Sequence, residues 1–372
     1  MLSLAEFIVW IVGVALLVFV FLPIEGQDSP LDALERGAEA EEPPPYTQPA
    51  GEVQATKKSA FTARRLTRST FLVVEVDDIY GEHPFIYAKL VPEAGTILLL
   101  DTGCGGASND RTVPITSLRE FLETVPVEEN SGRPLNGGAS MRYVVALSHC
   151  HYDHILGVEQ FAQDSPVLQS AHAPAFVSRA ALPAHSLCAD LGIRTPLFAS
   201  VLVPHNAVLT SASGLPLGVT LLHTPGHTPD EIAIWDAQEL MLYVGDTVYE
   251  WEPIIFPAEG SISVWLSTID QLVQVAMSSQ APENVKINCG HRTASRSALE
   301  VLAKAKGFML DVLADDVEVR WRIWKRGEWH VEYRQDGGQF SVRCPERLVD
   351  DARQQQLRRL TAGVRHVPID RQ

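Results

Sequence analysis

The sequence predicts an α/β fold in which sheets are covered by helices, preceded by an apolar span and followed by a small antiparallel β extension. Short β-rich runs and longer helical patterns are interspersed, with consecutive strands in both halves of the chain, an order that argues for helix-covered sheets. Of 372 residues, 46% are hydrophobic and 20% charged, a globular composition long enough for a large buried core. The five cysteines are too sparse for a disulfide scaffold. A formal charge of −16, from 30 Lys+Arg against 46 Asp+Glu, repels polyanions and argues against a nucleic-acid partner.

Residues 7–24 carry no charge and are apolar on every helical face. About 18 residues at 1.5 Å each reach ~27 Å, close to the hydrocarbon thickness of a bilayer, so residues 1–25 read as a membrane anchor. A cleaved signal peptide would want a basic residue before the run and small residues after it; no Lys or Arg precedes the run, and Pro23-Ile24-Glu25-Gly26 is a poor small-residue cleavage site. Basic residues follow the span and none precedes it, which places the body of the protein in the cytoplasm. Residues 26–68 are acidic and Pro-rich, too poor in aliphatics to offset ordering entropy, and read as a tether. Within it, Pro43-Pro44-Pro45-Tyr46 has the PPxY pattern that WW domains bind; the plain alternative is a proline-rich linker.

A domain over 69–315 opens with strands at 71–76, 85–91 and 96–100, separated by turn residues in the manner of a meander. A helix over 115–125, a polar Gly-rich loop and a buried strand over 143–147 follow. Strands recur at 220–222 and 240–244, and helical patterns cover 263–278 and 295–313. In 316–372, apolar residues alternate with charged ones over 319–323 and 329–333, and Asp336-Gly337-Gly338 turns the chain toward Phe340 and Val342. This is a three-stranded antiparallel unit, closed by a polar helix over 345–360.

The chemistry sits in Ser148-His149-Cys150-His151-Tyr152-Asp153-His154, directly after the apolar strand that ends at Leu147. Alternation on leaving a strand points His149 and His151 the same way, with Asp153 and His154 a turn further on, at the entry to a helix. Desolvating four such groups together would be costly without a metal. Three more ligand-type residues follow apolar strands and stand behind a Gly: His227 after Leu221-Leu222, Asp246 after Leu242-Tyr243-Val244, and His291 after Val285-Lys286-Ile287. Glycine lets the backbone turn beside a crowded centre without a Cβ clash.

This HxHxDH string, followed in order by single His, Asp and His, resembles the metallo-β-lactamase-fold superfamily over roughly residues 70–313. The resemblance implies an αββα sandwich of two mixed sheets with metals at one edge. It also implies that His149, His151 and His227 hold one metal, that Asp153, His154 and His291 hold the second, and that Asp246 bridges them. Asp101, in Leu99-Leu100-Asp101-Thr102-Gly103, matches the strand-end aspartate that braces the metal loops. Two zinc ions are the default for such ligands, with Fe or Mn also suited to them. Cys150 and Cys289 read as small buried residues rather than ligands.

Paired metals imply hydrolysis of an ester, thioester, lactone or amide by a bridging hydroxide, with Asp153 as the catalytic proton shuttle. Strings around Asp246 and His291 are similar to glyoxalase II, but the Gly-Cys-Gly-Arg type segment of that family is replaced by Glu250-Trp251-Glu252-Pro253-Ile254-Ile255. The bulkier apolar segment looks more like the metallo-β-lactamase-domain acyl-CoA thioesterases. It implies a thioesterase or esterase acting on a small-molecule acyl substrate, with Tyr249, Trp251, Ile254 and Ile255 lining an acyl pocket; the alternative for the apolar side chains of this segment is that they pack into the core. The alternatives are a glutathione-thioester hydrolase, a lactonase, a mononuclear-iron persulfide dioxygenase or, outside catalysis, a membrane-tethered binding protein.

Overall fold

A computed structural model describes residues 58–364. The expected anchor at 7–24 and the PPxY pattern at 43–46 lie outside the described residues. Among the described residues, no helix is long and apolar enough to cross a membrane.

In chain order the elements are β1 (Phe61–Arg65), β2 (Thr70–Glu75), β3 (Phe85–Val91), β4 (Thr96–Leu100), α1 (Leu118–Thr124), β5 (Arg142–Ala146), α2 (Tyr152–Ile155), β6 (Val167–Ser170), α3 (Leu182–His185), α4 (Cys188–Leu191), β7 (Ser200–Val203), β8 (Ala207–Thr210), β9 (Pro216–His223), β10 (Ile232–Asp236), β11 (Met241–Tyr243) and β12 (Pro253–Ile255). They continue with α5 (Ile262–Met277), β13 (Lys286–Asn288), β14 (Arg296–Ser297), α6 (Ala298–Leu313), β15 (Val319–Lys325), β16 (Glu328–Arg334), β17 (Ser341–Pro345) and α7 (Glu346–Val364).

Strands β1 to β7 form one sheet in sequence order, antiparallel through β4 and parallel from β4 to β7. The second sheet runs β14-β13-β11-β10-β9-β8, with β11 and β13 parallel and the other pairs antiparallel. Alternation within the strands builds the layers. Leu98, Leu100, Val144 and Ala146 meet Val219, Leu221, Ile232 and Ile234 between the sheets. Ile97, Leu99 and Val145 pack outward beneath Leu118, Phe121 and Leu122 of α1. Leu242 and Ile287 pack outward beneath Ile269 and Leu272 of α5 and Val301 and Leu302 of α6. The result is helices, sheet, sheet, helices. Ser117 starts α1 by accepting the Glu120 N–H, so that helix begins three residues later than its apolar pattern predicts.

The tether does not extend to residue 68. Residues 61–65 are the edge strand β1, paired with β2 from Phe61↔Glu75 to Arg65↔Phe71. An edge strand needs few anchors; Phe61 is buried and the Arg65 guanidinium lies 4.3 Å from the Phe71 ring centroid. That leaves too little apolar periodicity to read from sequence. The C-terminal region is likewise not a separate appendage. β12 joins it in parallel with β17, giving a four-stranded sheet β12-β17-β16-β15, and Val331, Phe340, Val342 and Leu348 share one core with α5 and α6.

Candidate metal centre

β5, β9, β11 and β13 each deliver one part of the centre just past their C-terminal ends, and β4 delivers Asp101. The pairings β4∥β5 and β11∥β13 are parallel, and β9 and β11 both run antiparallel to β10 between them. Within each sheet, therefore, these ends share one edge. His149, His151 and His227 form one buried group, and Asp153, His154, Asp246 and His291 a second, the candidate ligand atoms within each lying no more than 4.8 Å apart. The groups touch: the His149 ring centroid is 4.8 Å from that of His227 and 4.2 Å from that of His154.

The backbone is shaped to this crowding. A Cβ on Gly290 would collide with Asp246 Oδ1, and Gly226, at φ +145°, has the Trp265 backbone N 2.7 Å from where its Cβ would stand. Asp101 adopts a left-handed φ of 65° and accepts from the Ser148 N–H at 2.6 Å, the Ser148 hydroxyl at 2.7 Å and His154 Nδ1 at 2.9 Å. It thus braces the turn that carries the HxHxDH string, as its place in the sequence implies.

Acceptors hold four of the five histidines at Nδ1. His149 Nδ1 is 3.1 Å from Ser148 Oγ, His154 Nδ1 meets Asp101, His227 Nδ1 is 3.0 Å from Glu231 Oε2, and His291 Nδ1 is 3.0 Å from the Glu82 carbonyl. Placing a proton on each Nδ1 satisfies these contacts and leaves Nε2 for the centre. His151 is the exception, with Nδ1 2.9 Å from His149 Nε2 and a buried Nε2 that has no partner. His154 Nε2 and Asp246 Oδ1 are also buried without a hydrogen bond. Glu231 and Glu82 are not among the site residues expected from the sequence. Glu231 carries a signal, four residues after His227; Glu82 acts through its backbone and carries none.

Charge separates the groups. Burial and neighbouring histidines push His149 well below its usual pKa, and His151 falls to about 3. Burial also opposes the charge on His154 and His291, but the carboxylates of Asp153 and Asp246 outweigh it and their pKa values rise. Burial would raise Asp153 and Asp246, yet these histidines hold both carboxylates well below their usual range. His154 Nε2 lies 3.3 Å from Asp153 and 3.4 Å from Asp246; His291 Nε2 lies 3.2 and 3.5 Å from the same pair. His227 Nε2 is 3.2 Å from the Ile255 carbonyl, a contact that suits a ring protonated on both nitrogens, and its pKa is raised, Glu231 overcoming burial. These ring nitrogens and carboxylates stand close enough together for a cation to be held among them. The donor set, five His and two Asp, almost fully buried, fits divalent metal.

The expected acyl-pocket residues separate. Tyr249 is buried, 5.4 Å from the His291 ring, and donates to the Pro253 carbonyl at 3.1 Å. Trp251 is half-buried and its backbone N–H donates to the Gln339 carbonyl at 2.8 Å. Ile255 is 52% exposed, its carbonyl turned to His227. Ile254 is a core residue, packed with Phe256 and Val342, because β12 pairs with β17 and alternation turns its side chain inward. Of the two expectations for Ile254, acyl pocket or core, the structure contradicts the pocket and bears out the core. Cys150 and Cys289 are buried free thiols, outside both ligand groups.

The family model of the metallo-beta-lactamase superfamily matches residues 137–276. A protein of Aspergillus versicolor, avaE, described as a candidate transcription factor, is 33% identical over 312 residues, spanning 81% of this chain and 91% of its own. Human acyl-coenzyme A thioesterase MBLAC2 is 26% identical over 190 residues, 48% of this chain and 63% of its own, so the chain spans less than two thirds of that relative. A crystal structure of an archaeal metallo-beta-lactamase superfamily protein from Sulfolobus tokodaii has a TM-score of 0.47 at 14% identity, over 70% of this chain and 93% of that one. With its family match over residues 137–276, its mixed sheets and its paired ligand groups, the chain carries a domain of the metallo-beta-lactamase superfamily, whose members are generally hydrolases.

Proposed function

We propose that the chain is a metal-dependent hydrolase of acyl thioesters and related esters. The observation that carries the reading is the pair of adjoining buried ligand groups, with His151 Nε2, His154 Nε2 and Asp246 Oδ1 lacking hydrogen-bond partners. His149, His151 and His227 would hold one cation, Asp153, His154 and His291 the second, and Asp246, beside His154 and His291, would lie between them. Zinc is the default for such a set, and iron or manganese accepts the same donors. Bound divalent cations would supply Lewis acidity, polarising the substrate carbonyl and lowering the pKa of water toward neutrality.

The chain's own groups do the rest. Asp153 would take the proton of the attacking water and pass it to the leaving thiolate. His154 and His291, each with Nε2 within 3.3 Å of an Asp153 oxygen, fix the place of that carboxylate beside the centre. The buried ring of Tyr249, beside His291, would wall the reacting centre from solvent. The likeness to MBLAC2 supports a thioester over a lactone or lactam. A transcription-factor role, the description attached to the avaE relative, does not fit this chain. A chain of formal charge −16 repels DNA on average, and a buried hydrolytic constellation would serve no purpose in base reading.

The full chain, assayed against acyl-CoA thioesters, glutathione thioesters, lactones and β-lactams, should show its highest kcat/KM on acyl-CoA thioesters. Asp246→Asn should lower kcat by more than the ~10- to 100-fold typical of changes outside the ligand shell. Wild-type turnover in Asp246→Asn, or lactam cleavage faster than thioester cleavage, would overturn the reading.

A further inference from the structure

Outside the metal centre, a cleft of about 610 Å³ lies against the face of β6 and β7 turned away from the second sheet. Alternation along β6 explains its floor. Leu168 points between the sheets and Ser170 reaches His223 at 3.0 Å, while Val167 and Gln169 face the other way. Val177, Leu182, Pro196 and Leu202 wall the cleft, with the exposed Arg179 at its rim. The polar floor is unusual. Gln169 is 2% exposed, and neither its amide nitrogen nor its amide oxygen has a hydrogen-bond partner. A buried primary amide left wholly unpaired is destabilising, and here it lies directly under a cleft with apolar walls.

The cleft adjoins the metal-bearing turn. α3 begins with Leu182 in the cleft wall and leads into Ser186, whose carbonyl accepts the Tyr152 N–H at 3.0 Å, between His151 and Asp153 in sequence. Four residues of helix rise about 6 Å, so the wall stands a short step from the HxHxDH turn.

We propose that this cleft binds an apolar chain carrying a secondary amide, as the leaving-group arm of an acyl thioester does when the thiol is of the pantetheine type. This extends the thioester reading of the metal centre and rests on it for the identity of the arm. A secondary amide offers one N–H and one C=O, the complement of the acceptor and donors that Gln169 leaves unused. Engagement includes a rotation of the Gln169 side chain toward the cleft, which relieves its unpaired burial. The apolar walls take the methylene and methyl groups of the arm, and Arg179 at the rim suits an anionic end such as a phosphate.

The probe is pantetheine itself, which carries two secondary amides and no thioester, titrated calorimetrically into the full chain. Wild type should bind it. Gln169→Leu, which keeps the volume and removes the unpaired amide, should bind it about tenfold more weakly, the loss of a pair of neutral hydrogen bonds. Its melting temperature should not fall. Ala199→Trp, which fills the cleft from an exposed position and leaves Gln169 intact, should abolish binding. Binding of pantetheine by Gln169→Leu as tight as wild type, or no binding by wild type, would overturn the proposal and leave only water against Gln169. Because the probe is not hydrolysed, the two readings fail separately. Amide-dependent binding without thioester turnover keeps the cleft and rejects the thioesterase. Thioester turnover with Gln169-independent binding does the reverse.

Discussion

A histidine offers a metal one lone pair, and the partner of its other nitrogen decides which one. Glu231 is fully buried, its Oε2 3.0 Å from His227 Nδ1 and its Oε1 without a partner, so its principal contact is with that ring. Glu231→Gln keeps the size and an acceptor but removes the charge that makes His227 a stronger donor. Metal affinity should fall ~10- to 100-fold, measured by competition with a chelating dye, while the melting temperature of the metal-free protein stays near wild type. Wild-type affinity would mean that packing alone orients the ring. At this scale the sequence is legible where a side chain itself carries the chemistry: all seven expected ligands converge, and Asp101 braces them. It is silent where the backbone acts, as in the Glu82 carbonyl that receives His291.

Elements were legible in proportion to their periodicity. Strands with long apolar runs, such as Phe85–Val91 and Thr96–Leu100, and the helices Ile262–Met277 and Ala298–Leu313 stand close to their expected bounds. The edge strand Phe61–Arg65 carries too few apolar residues to be read, and Pro253–Ile255 is a strand only because Ser341–Pro345 pairs with it from far along the chain. That long-range pairing splits two adjacent isoleucines between core and surface. Ile254→Ala should destabilise the fold by ~2 to 5 kcal/mol, as truncation of a buried branched side chain does. Ile255→Ala should change stability by no more than ~0.5 kcal/mol. Chemical denaturation of the two variants checks the split, and equal losses would contradict the register of β12 on β17.

At the scale of the molecule, the order of strands and helices foretold helix-covered sheets, and the family resemblance supplied the sandwich and its metal edge. The C-terminal strands were legible as a hairpin unit but not as part of the main core, because nothing in a local pattern says that Phe340 and Val342 pack with α5 and α6. The central claim is that two adjoining groups of buried side chains hold two metal ions. It is tested most directly by the metal content of the purified full chain beside that of the His149→Ala, His151→Ala double variant. The wild-type chain should carry about two equivalents and the variant about one, since removing two of three ligands to one ion should release it. A double variant that retains the full wild-type metal content would contradict the assignment.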